Sequence, residues 1–214
     1  MADATGSVPG RWVGIWTAAP QLAEPADLPP EPFARDGLVF TDSTLRQTIR
    51  VSADAQRIRL RLSNAFGGAH LAVAKVCVAL PSGGQAGENS IAVGTSRPVT
   101  FTGRPGVLVA PGGVAVSDPV DFPVAVAANV TVTLYLATGL RAADGVTSHP
   151  GSRTTSYLAA GDHVTGQRLA EAAGVDHWYF LSGVEAWLGQ AAAAAVFLGD
   201  SLTDGRGSTT NGND

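Results

Sequence analysis

Apolar and polar residues alternate strictly along Arg57-Ile58-Arg59-Leu60-Arg61-Leu62. A period of two puts Ile58, Leu60 and Leu62 on one side of a strand and the three arginines on the other. The segment therefore predicts an antiparallel strand with one face in a core and one in solvent. Residues 130–136 repeat the alternation. Residues 45–51 form a further candidate strand, followed by Asp54-Ala55 at the start of a turn. Shorter β-rich pieces lie at 99–101, 107–109 and 114–116, separated by Gly103-Arg104-Pro105-Gly106 and Pro111-Gly112-Gly113, which are strong turn formers. Many short strands at this spacing predict a mainly β chain folded as a β-sandwich or jelly roll. One short helix is predicted over 165–173, with Thr165 as N-cap and Gly174 as the stop. The proline-rich run 20–32 reads as an extended surface segment.

The pattern changes near Leu188-Gly189-Gln190. Ala191-Ala192-Ala193-Ala194-Ala195-Val196-Phe197-Leu198 has no polar alternation and is apolar throughout. Such a run predicts a strand buried on both faces of a parallel sheet. We therefore divide the chain into a β-sandwich domain, 1–190, and a second segment, 191–214, which opens an α/β domain that another polypeptide completes.

Composition narrows the function. The hydrophobic content of 45% against 15% charged residues is enough for a sizeable core and excludes global disorder. A net charge of −4 offers no basic field for nucleic acid. No apolar run is long enough to predict a membrane-spanning helix. The first ten residues lack the charged and apolar regions of a signal peptide. Location is left open; a signal peptide removed upstream would imply a secreted or periplasmic protein. The single cysteine, Cys77, lies in an apolar stretch and is expected to be a buried, inert thiol. His, Cys and carboxylates show no metal-ligand spacing, so no metal and no cofactor are expected. Asn129-Val130-Thr131 matches the N-glycosylation pattern.

The apolar run leads into Gly199-Asp200-Ser201-Leu202-Thr203-Asp204-Gly205. A strand that stops at a Gly-polar-Ser corner delivers its serine to the carboxyl end of a sheet, where α/β folds bind ligands. Sharp turns of this kind present a serine hydroxyl outward as a nucleophile. Thr203 stands where Gly-x-Ser-x-Gly would need its second glycine, which disfavours an ordinary α/β-hydrolase elbow.

The segment resembles the first signature block of the GDSL, or SGNH, serine hydrolases. The whole chain is similar to the N-terminal portion of two-domain members that carry a β-sandwich ahead of the hydrolase domain. Stretches sharing that similarity are Trp12-Val13-Gly14-Ile15-Trp16-Thr17-Ala18-Ala19-Pro20-Gln21, Leu60-Arg61-Leu62-Ser63-Asn64-Ala65-Phe66-Gly67, Ser148-His149-Pro150-Gly151-Ser152-Arg153-Thr154-Thr155-Ser156-Tyr157, His177-Trp178-Tyr179-Phe180-Leu181-Ser182-Gly183-Val184 and the continuation from Gly199 to Asn213. The resemblance implies a flavodoxin-like α/β hydrolase domain and makes Ser201 the nucleophile, with its backbone N–H as one oxyanion donor. The family's glycine and asparagine donors and its Asp-x-x-His do not map here. None of His70, His149, His163 and His177 has an aspartate three residues earlier.

Around Ser201, Gly199, Asp200 and Asp204 are expected to shape the loop, Asp200 by accepting backbone N–H bonds. His149 and Arg153, in a polar loop, are candidates to line a substrate site or a domain junction, although structural hydrogen bonds are the commoner role for such residues. Asn64 is a lesser candidate, better read as a turn residue. The arginine row reads as a solvated face or one paired to a neighbouring domain. The four tryptophans read as core or interface packing in preference to sugar stacking.

These features predict the N-terminal portion of a serine esterase that hydrolyses acyl or acetyl esters, carbohydrate or lipid esters among them, through an acyl-enzyme on Ser201. This chain alone is expected to be inactive without a second chain carrying the catalytic His and Asp. The alternative is a non-catalytic β-sandwich module, binding carbohydrate or forming an active-site rim, with an inert GDSL tail.

Overall fold

A computed structural model describes residues 10–189 and 191–213. The expectations for the first nine residues and for a boundary at Gln190 lie outside the described residues. The chain is mainly β, and no helix reaches seven residues. In chain order the strands are β1 (Gly10–Thr17), β2 (Gln21–Leu22), β3 (Ala34–Arg35), β4 (Leu38–Arg50), β5 (Ala55–Ser63), β6 (Leu71–Val73), β7 (Lys75–Ala79), β8 (Arg97–Val99) and β9 (Val107–Val109). They continue as β10 (Val114–Val116), β11 (Val120–Val124), β12 (Asn129–Arg141), β13 (Thr147–Pro150), β14 (Ser156–Ala160), β15 (Ala173–Val175), β16 (His177–Tyr179) and β17 (Leu181–Gly189).

One sheet runs β1-β17-β5-β10, with β11 also on β5; the larger runs β15-β14-β4-β12-β7-β8, with β3 on β4. A three-stranded sheet, β16-β13-β2, and a pair, β6-β9, complete the fold. Ile58, Leu60 and Leu62 of β5, Leu45 and Ile49 of β4, and Val130, Val132 and Leu134 of β12 belong to one buried cluster. The two larger sheets therefore share a core, as the alternation predicts.

The arginines of β5 pair within their own sheet. Arg57 bonds Asp121 at 2.7 Å, and Arg59 and Arg61 converge on Glu185 at 2.5 and 3.4 Å. Cys77 is buried and unbridged. Asn129 is also buried, donating to the Gly84 carbonyl at 2.9 Å, so the glycosylation motif is folded away.

The second face of β4 is also buried. Arg46 is fully enclosed and donates to the Asn89 carbonyl (2.8 Å), the Gly166 carbonyl (2.7 Å) and Thr133 Oγ1 (3.1 Å). Burial lowers its pKa to about 10. This arginine explains why the helix expected over 165–173 does not form. The carbonyls of Gly166 and Gln167 face outward to Arg46 and to the Ile91 N–H, and the Leu169 N–H binds the Asn89 carbonyl. Backbone groups committed to those partners are not available to i→i+4 bonding. The segment is a set of turns leading into β15.

The strand expected over 191–198 is likewise absent. Residues 192–199 take no regular structure, and Val196, Phe197 and Leu198 are 85%, 84% and 98% exposed. A strand needs a neighbour for its N–H and C=O groups, and no described strand pairs with this segment.

Candidate functional site

Beyond the apolar run the chain closes into a compact turn. Asp200 organises it: its Oδ1 accepts the Leu202 N–H at 3.0 Å and its carbonyl accepts the Asp204 N–H at 3.1 Å. The Arg206 N–H donates to the Ser201 carbonyl at 2.7 Å, and Gly205 takes a φ of 90° that a side chain would oppose. Asp200 thus spends a carboxylate oxygen and its carbonyl on backbone N–H groups of the turn. Ser201 is exposed, and neither its hydroxyl nor its N–H has a protein partner among the described residues.

The three-stranded sheet brings His149 to this turn. In β13, Ser148 pairs with Gln21 and His149 with Trp178. The His149 ring stacks on Trp178 with centroids 5.5 Å apart, and Trp178 meets Trp16 edge-on at 4.9 Å. The Trp178 indole N–H donates to the Thr48 carbonyl at 3.0 Å, fixing the platform. His149 is 4% exposed. Its Nδ1 lies 2.9 Å from the Ala19 carbonyl, and its Nε2 lies 3.2 Å from Asp204 Oδ2. The carbonyl only accepts, so Nδ1 carries the proton of that bond, while the approach of Nε2 to Asp204 is a charge contact outside hydrogen-bond geometry.

Ser201, His149 and Asp204 line one cavity of about 490 Å³, together with Ala19 and Gln21 from the β domain and Phe197 from the apolar run. Arg153 is placed differently. It sits at a φ of 54°, its carbonyl accepts the Asn211 N–H at 2.8 Å, and its side chain lines a neighbouring cavity with Trp16 and Gly205. Asn64 lies away from both cavities. It is 1% exposed and donates to the carbonyls of Ala69 (2.8 Å), Val109 (3.2 Å) and Ala110 (3.2 Å), which makes it the turn residue that its sequence position predicts.

The remaining histidines do not complete a catalytic set. His70 is exposed ahead of β6, and His163 lines a cavity with Pro32 and Ala170. His177 accepts the Gly151 N–H at Nδ1 (3.3 Å); burial, first of all, pushes its pKa below the ordinary 6.5. Among the described residues no three His, Cys, Asp or Glu side chains are grouped to hold a metal.

Two contacts at the site carry no sequence signal: the Ala19 carbonyl on His149, and the Asn211 side chain on Thr155. No family model and no curated protein matches the chain.

Proposed function

We propose that the chain is the N-terminal portion of a serine ester hydrolase, with Ser201 as nucleophile toward acyl or acetyl esters. The observation that supports this reading is the Gly-Asp-Ser-Leu turn itself. Its aspartate is spent on holding the backbone, while its serine hydroxyl is unpartnered at the wall of a cavity of about 490 Å³. Ser201 would attack the ester carbonyl, release the alcohol and carry the acyl group until water removes it. On this reading the base and further oxyanion donors come from downstream polypeptide, because the Asp-x-x-His and the glycine and asparagine donors that the resemblance implies do not map onto these residues. In that assembly the apolar run 191–198 gains the strand neighbours it lacks here.

The test compares chain 1–214 with an assembly that adds the downstream hydrolase polypeptide. The assembly is expected to hydrolyse a short-chain aryl ester and to be labelled by a serine-directed phosphonate. Ser201→Ala should remove both, a loss on the order of six decades in turnover for a triad nucleophile. Full activity in that variant, or serine-dependent turnover by pure 1–214, contradicts the proposal.

A second reading, a carbohydrate-binding sandwich, is favoured by Trp187. This residue is 40% exposed and meets Trp12 edge-on at 5.4 Å on the outer face of the smaller sheet. Quenching of tryptophan fluorescence by an oligosaccharide, lost in Trp187→Ala and unaffected by Ser201→Ala, would favour it over the esterase.

A further inference from the structure

We propose that Arg153 and Arg50 form an anion-binding site beside the turn that bears Ser201, and that it holds the carboxylate of an acidic sugar. The substrate this implies, an acylated acidic carbohydrate, rests on the reading of Ser201 as nucleophile; the site itself does not.

Arg153 is held where an arginine is costly. Its φ of 54° lies in the left-handed region, which residues with a Cβ avoid. Bonds on either side keep it there. The Ser152 hydroxyl donates to the Thr154 carbonyl at 2.7 Å, and the Arg153 carbonyl accepts the Asn211 N–H at 2.8 Å. The side chain is the second anomaly. Arg46, Arg57 and Arg59 each donate from Nε to an oxygen of the protein. The Nε of Arg153 is shut off from solvent without a partner, and among the described residues its guanidinium pairs with no carboxylate. Among those residues Arg153 alone combines a left-handed backbone with a buried, unsatisfied side-chain atom. Both features cost stability, and neither serves the packing of the β domain, which points to a residue kept for a ligand.

The surroundings define that ligand. Arg153 lines a cavity of about 300 Å³ with Arg50, whose Nη1 donates to the Asn213 carbonyl at 2.8 Å. Two guanidinium groups in one wall are a local exception in a chain of net charge −4. Asp204 is the single carboxylate among the described residues of that wall, and its Oδ2 faces His149 Nε2 at 3.2 Å. The balance is positive and suits an anion; a guanidinium fork matches a carboxylate through two parallel bonds. Thr203 and Ser208 add hydroxyls, and the half-buried Trp16 and Trp178 add apolar surface. A bare inorganic anion would use only the guanidinium groups. An acidic sugar would also lay its C–H groups on the indoles and its hydroxyls among the polar side chains.

Thr203 and Asp204 line this cavity and the cavity of Ser201 alike. The turn stands between the two, and Gly205 seats it on Arg153: a Cβ there would lie 3.9 Å from Arg153 Cγ. A sugar anchored by its carboxylate on one side of the turn thus presents its acylated hydroxyls to the serine on the other. Arg153 and Arg50 select the substrate and take no part in acyl transfer.

The experiment titrates chain 1–214 with D-glucuronate, D-glucose and sodium sulfate, read by calorimetry and by the fluorescence of the tryptophans in the wall. Glucuronate should bind, glucose should not, and sulfate should compete with glucuronate. Added NaCl should weaken binding by screening the charges. Arg153→Asn removes the guanidinium and places at φ 54° a residue that tolerates the left-handed region, so the wild-type urea midpoint should be retained. Its affinity for glucuronate should fall at least about tenfold, the size of one charge-assisted bond. Arg50→Gln, at an exposed position, should weaken binding in the same direction. Equal binding of glucose, no binding of glucuronate, or an affinity unchanged in both variants overturns the site. Binding of sulfate without glucuronate makes it a site for free anions and overturns the assignment to a sugar. None of these ligands carries an ester, so the binding result is independent of Ser201. In the assembly with the downstream polypeptide, release of acetate from acetylated glucuronate should exceed that from acetylated glucose at least about tenfold, a preference that Arg153→Asn removes. Equal rates on the two sugars would overturn the substrate assignment, whereas binding without any hydrolysis would count against Ser201 and not against the site.

Discussion

The side-chain amide of Asn211 closes on Thr155 from both directions. Its Oδ1 accepts the Thr155 N–H at 2.8 Å, and its Nδ2 donates to Thr155 Oγ1 at 3.0 Å. The Asn211 backbone N–H adds a bond to the Arg153 carbonyl at 2.8 Å. Three bonds thus tie the segment after Ser201 to the loop that follows β13, the strand carrying His149. Gly87 makes room for the clasp. A Cβ there would lie 2.1 Å from Asn211 Oδ1, and its φ of +64° disfavours any side chain.

Gly87→Ala should therefore release the clasp. The left-handed backbone and the collision together should cost about 1–2 kcal/mol. Asn211→Ala should also expose 209–213 to exchange, without the backbone strain. In the double variant the collision term disappears, so the two effects should fall short of additive. Urea denaturation of the four proteins measures this directly; strict additivity would mean that Gly87 and Asn211 do not meet.

Arg46 gives a larger expected effect. It ties β4 to the loops at Asn89 and Gly166 and to Thr133 of β12. Arg46→Met retains most of the volume but leaves the Gly166 carbonyl and the Thr133 hydroxyl in a buried site without their donor, while the Asn89 carbonyl keeps the Leu169 N–H. Each unsatisfied group costs about 1–3 kcal/mol, so a loss of at least about 2 kcal/mol is expected by urea denaturation. Arg46→Lys cannot span three acceptors from one ammonium and should recover only part of it. A variant with wild-type stability would show that water replaces the guanidinium at no cost.

Arg46 also marks where the sequence stops being readable. Strand β5 was legible because its arginines do reach solvent and its aliphatics do not, so period two maps onto one wet and one dry face. In β4 and β12 the same alternation places Thr44, Arg46, Thr48, Thr131 and Thr133 on the second face, yet excursions of the chain bury it. Nothing local in Thr or Arg announces that cover. The 165–173 segment has a helix's cap and stop, but its carbonyls are claimed by an arginine distant in sequence. At the site, the Asp200 turn was legible because its bonds span a few residues. Contacts between His149 and Asp204, and between Asn211 and Thr155, depend on how β13 and its loop fold, and no spacing encodes them.

Acid should weaken the fold through two groups of opposite kind. Asp118 accepts the Gly103 N–H at 2.8 Å, the Thr100 hydroxyl at 2.7 Å and the Thr102 N–H at 3.0 Å, which hold its carboxyl below the ordinary 3.8. Its contribution is present above the unfolded value and disappears as pH falls through the folded one. His177 is depressed mainly by burial, so the unfolded chain binds its proton more readily. Stability should therefore begin to fall as pH drops below about 6.5, the ordinary histidine value, and continue down to the folded value. A thermal-denaturation series from pH 8 to 3 should lose the upper part of this slope in His177→Asn, whose side-chain oxygen can still accept the Gly151 N–H. In Asp118→Asn the loss should be confined to the most acidic part. An unchanged profile in both variants would remove these groups as the source of the acid sensitivity.

The exposed apolar run separates what the β domain needs for folding from what it offers elsewhere. Phe197 and Leu198 are 84% and 98% exposed, whereas Leu134 of β12 is completely buried in the shared core. Leu134→Ala removes methyl groups from a close-packed interior and should cost about 2–5 kcal/mol. Phe197→Ser and Leu198→Ser touch no packed surface in this chain and should stay within about 0.5 kcal/mol of wild type. The order should reverse in the assembly with the downstream polypeptide, where the run is proposed to enter a sheet. There Phe197→Ser and Leu198→Ser should weaken association and phosphonate labelling of Ser201, although the isolated chain is indifferent to them. Chemical denaturation of the single chain and a pull-down with the downstream polypeptide provide the two readouts. Association that survives both serine substitutions at wild-type strength would place the contact between the two polypeptides somewhere other than residues 191–198.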